Sequence, residues 1–214
     1  MKVLLTSAVV FACFLVISCA KHSTPPNQGS GANSIFPLVQ GSVWYYADSA
    51  FSDSTVTAAY IDTMTVTKNT YQDQSGTVYV ELNDTYGWFF GSYISVDPSN
   101  NAIYEVDSPY YSPYTFFAVP TQDNQIIGTG TDYTNPACPV VTTQYGWITP
   151  VMIGTYSCLR NVEYSADCNG NPQEEIDSYV AQGIGVVRIA HYVPDSATGP
   201  LHEDYSQTLQ TYQK

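Results

Sequence analysis

The chain has 214 residues, 44% hydrophobic and 14% aromatic, with 6 Lys and Arg against 19 Asp and Glu for a formal charge of −13. That length suits one domain of ordinary size behind a leader. The acidity excludes nucleic acid as a partner, because phosphate is neutralised by lysine and arginine, and it excludes electrostatic adhesion to anionic lipid.

Residues 1–18 read as an export signal. Lys2 supplies the positive start, and the run from Val3 to Ile17 carries no charge. A bilayer-spanning helix needs about 20 apolar residues, so the run is a cleaved leader and not an anchor. Its end, Val16-Ile17-Ser18-Cys19, resembles the bacterial lipobox. The resemblance implies cleavage before Cys19, a diacylglyceryl group on its thiol and acylation of the new amine. Several acyl chains hold a protein to a membrane stably where one does so only marginally. Cys13 leaves with the leader. Removing residues 1–18 takes away one lysine and no acid, which leaves a formal charge of −14.

Ala20–Ser34 (AKHSTPPNQGSGANS) has too little apolar surface to fold and reads as a flexible spacer. The expected organisation is therefore a signal over 1–18, a tether over 19–34 and a β-rich domain over 35–214. The sorting rules of enterobacterial lipoproteins, applied by resemblance, imply outer-membrane delivery, since Ala20 and not Asp follows the cysteine. The acidic cluster that some Bacteroidetes lipoproteins carry here for surface display is absent, which implies the periplasmic face.

From Ile35 onward Tyr, Thr, Val, Phe and Trp are abundant, apolar residues alternate with a period of two, and no apolar 3.6 period stands out. Strands are predicted near 42–50, 56–68, 76–83, 87–96, 102–107, 114–119, 140–149, 155–166, 174–181, 184–193 and 201–212. Turn signals separate them, among them Gln74-Ser75-Gly76, Asp97-Pro98-Ser99-Asn100-Asn101 and Asn169-Gly170-Asn171-Pro172. Short strands with short polar turns predict one mainly antiparallel meander. The span 107–139 is expected to be irregular.

Two short patterns resemble a group of Bacteroidetes envelope lipoproteins with no assigned activity. One is Phe36-Pro37-Leu38, then Gly41, Trp44 and Tyr46; the other is Gly154-Thr155-Tyr156 followed by Gly183-Ile184-Gly185-Val186-Val187. The resemblance implies a long curved antiparallel sheet or incomplete barrel, like that of the carriers that ferry lipoproteins across the periplasm. It implies no chemistry.

Cys138, Cys158 and Cys168 remain in the mature chain, so one disulfide at most can close within it. If 155–166 is one extended strand, Cys158 and Cys168 lie roughly 30 Å apart at about 3.3 Å per residue, beyond the about 7 Å that a bridge allows. A hairpin turning near Met152–Gly154 instead sets Cys138 opposite residues 167–169. A Cys138–Cys168 bridge follows, with Cys158 a buried free thiol. Closing about 30 residues in this way stabilises by roughly 3–4 kcal/mol in the chain-entropy model.

His22 lies in the tether. A turn across Pro194–Gly199 would set His191 opposite His202 beside Glu203 and Asp204, which makes the two histidines candidates for a zinc site; the competing reading is a polar solvent face, and no metal or other cofactor is assigned. Asp167-Cys168-Asn169-Gly170-Asn171 begins like a calcium loop, but Pro172 and Ser178 stand where that loop needs Gly and Glu, so it reads as a turn. Gly183-Ile184-Gly185 lacks the third glycine of a dinucleotide fingerprint and reads as a strand bend. Elbow, P-loop and zincin motifs are all missing.

The aromatics, 19 Tyr, 8 Phe and 3 Trp, exceed what one sheet core uses. Tyr86, Trp88, Tyr104, Tyr110, Tyr111 and Tyr114 cluster near turns and the irregular span, where amphipathic rings can stack on sugar or peptide; tyrosine also populates exposed faces of secreted β-proteins. The expected function is a non-catalytic, lipid-tethered binding or scaffolding module, touching the membrane through Cys19. The alternatives are a carrier of a hydrophobic ligand in a sheet concavity and a glycan-binding module.

Overall fold

In the computed structural model the structure describes residues 34–52, 55–85, 93–97, 102–106, 112–196 and 198–214. Cys19, the tether and the candidates Tyr86, Trp88, Tyr110 and Tyr111 lie outside the described residues. The described chain is all β, with no helix. Twelve strands follow one another: β1 (Val43–Ser52), β2 (Thr55–Gln72), β3 (Val78–Asp84), β4 (Tyr93–Asp97), β5 (Ala102–Val106) and β6 (Tyr114–Ala118), then β7 (Gln125–Asp132), β8 (Val140–Ile153), β9 (Tyr156–Ala166), β10 (Pro172–Ala181), β11 (Gly185–Pro194) and β12 (Leu201–Gln213). They form a single sheet in the order β6-β5-β4-β3-β2-β1-β12-β11-β10-β9-β8-β7. Every neighbouring pair is antiparallel.

The predicted meander is therefore present, with one strand more than expected. β7 lies within the span read as irregular. Its sequence, QIIGTGTD, has two glycines and only two apolar residues. It is an edge strand held by β8 alone, with most of its residues exposed, so it carries neither a buried run nor an alternation to read.

Alternation builds the core. On β1, Trp44, Tyr46 and Asp48 are buried, while Val43, Tyr45 and Ala47 between them are partly exposed. Because side chains leave a strand on alternate faces, one face of each strand fills the interior. Phe36, Trp44, Tyr46, Met64, Ile94, Ile103, Phe117 and Ile189 are completely or almost completely buried there.

Phe36, Trp44 and Tyr46 of the first pattern and the Gly183–Val187 run of the second form one packing unit. Phe36 stacks on Trp44 at 4.9 Å between ring centroids, and Trp44 stacks on Tyr212 at the same spacing. Trp44 Nε1 donates to Ile184 O at 2.7 Å, Tyr46 OH to Val186 O at 3.0 Å, and Gly183 N to Ser34 O at 2.8 Å. Gly185 has φ +95°, and a Cβ there would sit 2.4 Å from the Phe36 ring. Only glycine meets both demands.

The sheet curls until its edges nearly meet, giving an almost closed barrel. Strands β6 and β7 form no ladder with each other. Side-chain amides of the far edge hold β6 instead: Gln144 Nε2 on β8 donates to Thr115 O at 2.9 Å, and Asn161 Nδ2 on β9 to Ala118 O at 3.2 Å. Gly146 leaves room for Pro120, whose side chain would lie 2.9 Å from a Cβ at that position.

The β8–β9 hairpin turns between Ile153 and Tyr156, and its register shifts between Trp147 and Val151. The register continues to Val141 opposite Ala166, just inside a Cys138–Cys168 disulfide with Cα atoms 5.0 Å apart. Cys158 is a buried free thiol. Asp167–Asn171 is a turn and not a calcium loop: Asp167 Oδ1 accepts from Asn169 N and Asn171 N, and Gly170 has φ +81°.

Candidate functional site

A cleft of about 400 Å³ lies on the outer wall where the β2–β3 turn meets β4 and β5. Tyr79 alternates with the core-facing Val80 and Leu82 and therefore points away from the interior. Ser95 pairs across the ladder with Tyr104, and Asp97 lies two residues beyond Ser95 on the same face. The Asp73–Thr77 turn closes one side: Asp73 Oδ1 accepts from Ser75 N at 2.9 Å, Ser75 Oγ at 2.7 Å and Thr77 N at 2.9 Å. The Ser75 hydroxyl, helped by the turn amides, holds the Asp73 carboxyl below the usual range. Burial, then the neighbouring Asp73, pushes the Tyr79 phenol up to about 12, so it remains a neutral donor. Tyr71 extends the aromatic surface, 5.9 Å from the Tyr79 ring and 6.1 Å from that of Tyr93. The cleft thus sets the part-exposed Tyr104 ring beside carboxylates and hydroxyls, while Tyr79, 3% exposed, and Ser95, 2% exposed, are themselves buried behind it.

Of the aromatics singled out in the sequence, Tyr104 lines this cleft and Tyr114 does not. Tyr114 is 47% exposed and borders a separate crevice of about 360 Å³ at the β6–β7 closure, beside Thr115, Gly128, Thr129 and Glu163. Sequence reasoning missed Tyr71, Tyr79 and Tyr93. Their signal was available: Tyr79 and Tyr93 each alternate with core apolar residues and so share an outer face.

The interior is occupied by side chains. An apolar pocket of about 250 Å³ lies at one end, lined by Ile35, Phe117, Leu159 and Val180 with Cys158. Burial pushes the Cys158 thiol up to about 11, which makes it a poor nucleophile.

The opposite end of the interior is acidic. Asp48 and Asp62 are fully buried, in phase with the core residues Tyr46 and Met64. Tyr205 OH donates to Asp48 Oδ2 at 2.7 Å, and Gln207 Nε2 lies 3.3 Å from Asp48 Oδ2 and 3.1 Å from Asp62 Oδ2. Burial and a hydrogen bond with Asp84 raise Asp62 to about 7.

The histidines correct an expectation. Opposite His191 stands Tyr205, not His202: the turn pairs Pro194 with Leu201 and so sets His202 against Val193, and a register shift between His191 and Tyr192 then moves His191 from Asp204 to Tyr205. Each imidazole has its own carboxylates. His191 Nδ1 is 2.7 Å from Asp204 Oδ1 and its Nε2 2.6 Å from Glu174 Oε1, while His202 Nδ1 is 2.6 Å from Asp195 Oδ1. The Glu174 hydrogen bond is the chief cause of a raised His191 pKa. The two rings therefore do not share a zinc site. Both described arginines are paired as well, Arg160 with Asp177 and Arg188 with Glu203 at 2.8 Å each.

No known protein family matches the chain, and no curated protein does. Two solved structures are similar in fold. One, from Bacteroides fragilis, is described as an exported protein with a YmcC-like fold; it is 13% identical, with 84% of this chain and 98% of that one covered and a TM-score of 0.49. The other, from Parabacteroides distasonis, is described as a lipoprotein; it is 13% identical, with 85% and 99% covered and a TM-score of 0.44.

Proposed function

We propose that the chain is a non-catalytic module of the bacterial cell envelope, tethered through acyl chains on Cys19 at the periplasmic face of the outer membrane, that binds glycan in the cleft of Tyr79 and Tyr104. The observation that carries this reading is where the space lies. A carrier needs an open apolar concavity, whereas here Phe36, Trp44, Tyr46 and Met64 fill much of the interior, the apolar pocket at its end is only about 250 Å³, and a cleft of about 400 Å³ lies on the outer wall. Ring faces supply apolar contact for the C–H face of a sugar. Asp73 and Asp97 line the same cleft. The lipobox and spacer support the tether, and the acidic charge speaks against nucleic acid. The engaged histidines and the high Cys158 pKa support a binding role over catalysis.

A glycan array of envelope polysaccharide fragments tests this. Saturable binding is expected, weakened about tenfold or more by Tyr104→Ala, a loss of about 1.4 kcal/mol. Tyr114→Ala, which alters a separate crevice, should leave it unchanged. An array without binding, or binding indifferent to Tyr104→Ala, refutes the glycan reading.

A further inference from the structure

A polar pocket lies behind the seam at which β6 and β7 form no ladder. Asn161 and Glu163 alternate along β9 and so share one face of it. Across the ladders Asn161 stands opposite Ser178 on β10, and Glu163 opposite Gln144 on β8. These four side chains, with Tyr114 and Phe116 on β6, line an inner pocket of about 110 Å³. Tyr114, Gln144 and Glu163 also line the outer crevice of about 360 Å³, so the two adjoin. The inner pocket is rich in acceptors. Asn161 is 4% exposed, and its Nδ2 donates to Ala118 O at 3.2 Å, which fixes the amide. Its Oδ1 is then buried with no hydrogen-bond partner, and Gly146 opposite has no side chain to cover it. Buried polar atoms are as a rule hydrogen-bonded, so such an orphan needs a reason. Gln144 Nε2 donates to Glu163 Oε2 at 2.8 Å and to Thr115 O at 2.9 Å, which spends both hydrogens of that amide. No ion pair among the described residues uses Glu163, since Arg160, Arg188, His191 and His202 are engaged by other carboxylates.

We propose that this pocket binds a primary ammonium on an unbranched aliphatic stem, of the kind a lysine side chain carries, admitted through the β6–β7 seam. The Glu163 carboxylate neutralises the charge, and Asn161 Oδ1 and the Ser178 hydroxyl accept the remaining hydrogens. An ammonium has three donors and no acceptor, which matches a lining of acceptors. It is also a compact charge, whereas a guanidinium presents a rigid plane of five donors to satisfy. Tyr114 and Phe116, aromatic rings at the border, attract a cation further. The stem lies in the outer crevice against Gly128 and Thr129 on β7, where Tyr114 is 47% exposed. An extended peptide bearing the lysine fits the same crevice, because β6 and β7 face each other there without a ladder between them.

The test is a binding titration of the full-length protein at neutral pH. The probes are lysine blocked at both ends as the acetyl methylamide, the same derivative of norleucine, which lacks the charge, and free pentylamine. Saturable binding of blocked lysine is expected, with blocked norleucine weaker by about tenfold or more. Glu163→Gln and Asn161→Leu should each weaken the lysine probe by about tenfold or more, since each removes an acceptor from a charged donor. Tyr104→Ala, in the separate cleft, should leave it unchanged. Pentylamine bound as well as blocked lysine assigns the site to free amines, and a preference for blocked lysine assigns it to a peptide; either supports the proposal. Where a variant fails to fold, the ratio of lysine to norleucine binding in the wild type decides. No saturable binding of either amine up to about 10 mM overturns the proposal. So does equal binding of the lysine and norleucine probes, or lysine binding that survives in both Glu163→Gln and Asn161→Leu. None of these outcomes bears on the glycan cleft.

Discussion

Trp44→Ala should lower stability by about 3–5 kcal/mol, the usual cost of removing a buried tryptophan. Natural domains have only about 5–15 kcal/mol in hand, so much of the population should unfold under mild denaturant. The indole is completely buried, stacked between Phe36 and Tyr212. It also supplies the hydrogen bond to Ile184 O. Truncation empties the space where the segment before β1 meets the start of β11, and it leaves that carbonyl without its indole donor. Urea unfolding should show a lower midpoint at unchanged slope. Gly185→Ala attacks the same unit from the other side, forcing a methyl into the Phe36 ring at a positive φ, and should move the midpoint the same way. A Trp44→Ala midpoint within experimental error of wild type would mean that this packing does not hold the barrel together.

Stability should fall as pH rises from about 4 to 8. Asp62 is raised from 3.8 to about 7 in the folded chain, first by burial and then by Asp84. A group raised on folding contributes fully below its unfolded value, and the contribution is lost as pH climbs through its folded value. At about 1.36 kcal/mol per unit, the shift corresponds to roughly 4 kcal/mol; because the pair shares it, a drop of roughly 2–4 kcal/mol is expected. Asp48, raised by burial, acts in the same direction, and so does His191, raised by Glu174. Tyr46, beside Asp62, and Tyr205, bonded to Asp48, are both raised phenols and silent in this range. Glu174 is lowered by His191 and matters only on the acid side. Urea midpoints at pH 5 and pH 8 in EDTA should differ accordingly. Asp62→Asn, neutral at every pH, should flatten the difference; an unchanged slope in that variant assigns the pH dependence elsewhere.

Much of the fold was legible because alternation is a local signal. Trp44-x-Tyr46 and Met64-x-Val66 announce a buried face without knowledge of the partner strand, and the hairpin register was close enough to pair Cys138 with Cys168. What escaped depends on distant neighbours. The β11–β12 turn pairs Pro194 with Leu201, where a His191–His202 pairing needs Gly199, and an extra residue around Asp204 moved His191 one place further; neither a turn's closing pair nor a bulge has a local mark. The edge strand β7 hid behind its glycines. Asp48 and Asp62 were legible in principle, since each falls in phase with core residues, but a carboxylate invites a solvent-facing reading unless that phase is followed. Tyr79 and Tyr93 were hidden by abundance: among 19 tyrosines, only the placement of the β2–β3 turn shows which ones border a cleft.

We propose a filled barrel held to a membrane by lipid on Cys19 and working from its outer wall. Native mass spectrometry of the full protein, extracted from membranes in mild detergent, reads both features at once. The expected mass is that of residues 19–214 carrying covalent acyl groups, with no further lipid retained. A chain that keeps its leader, a mature chain without acyl groups, or one that holds a stoichiometric non-covalent lipid would contradict it.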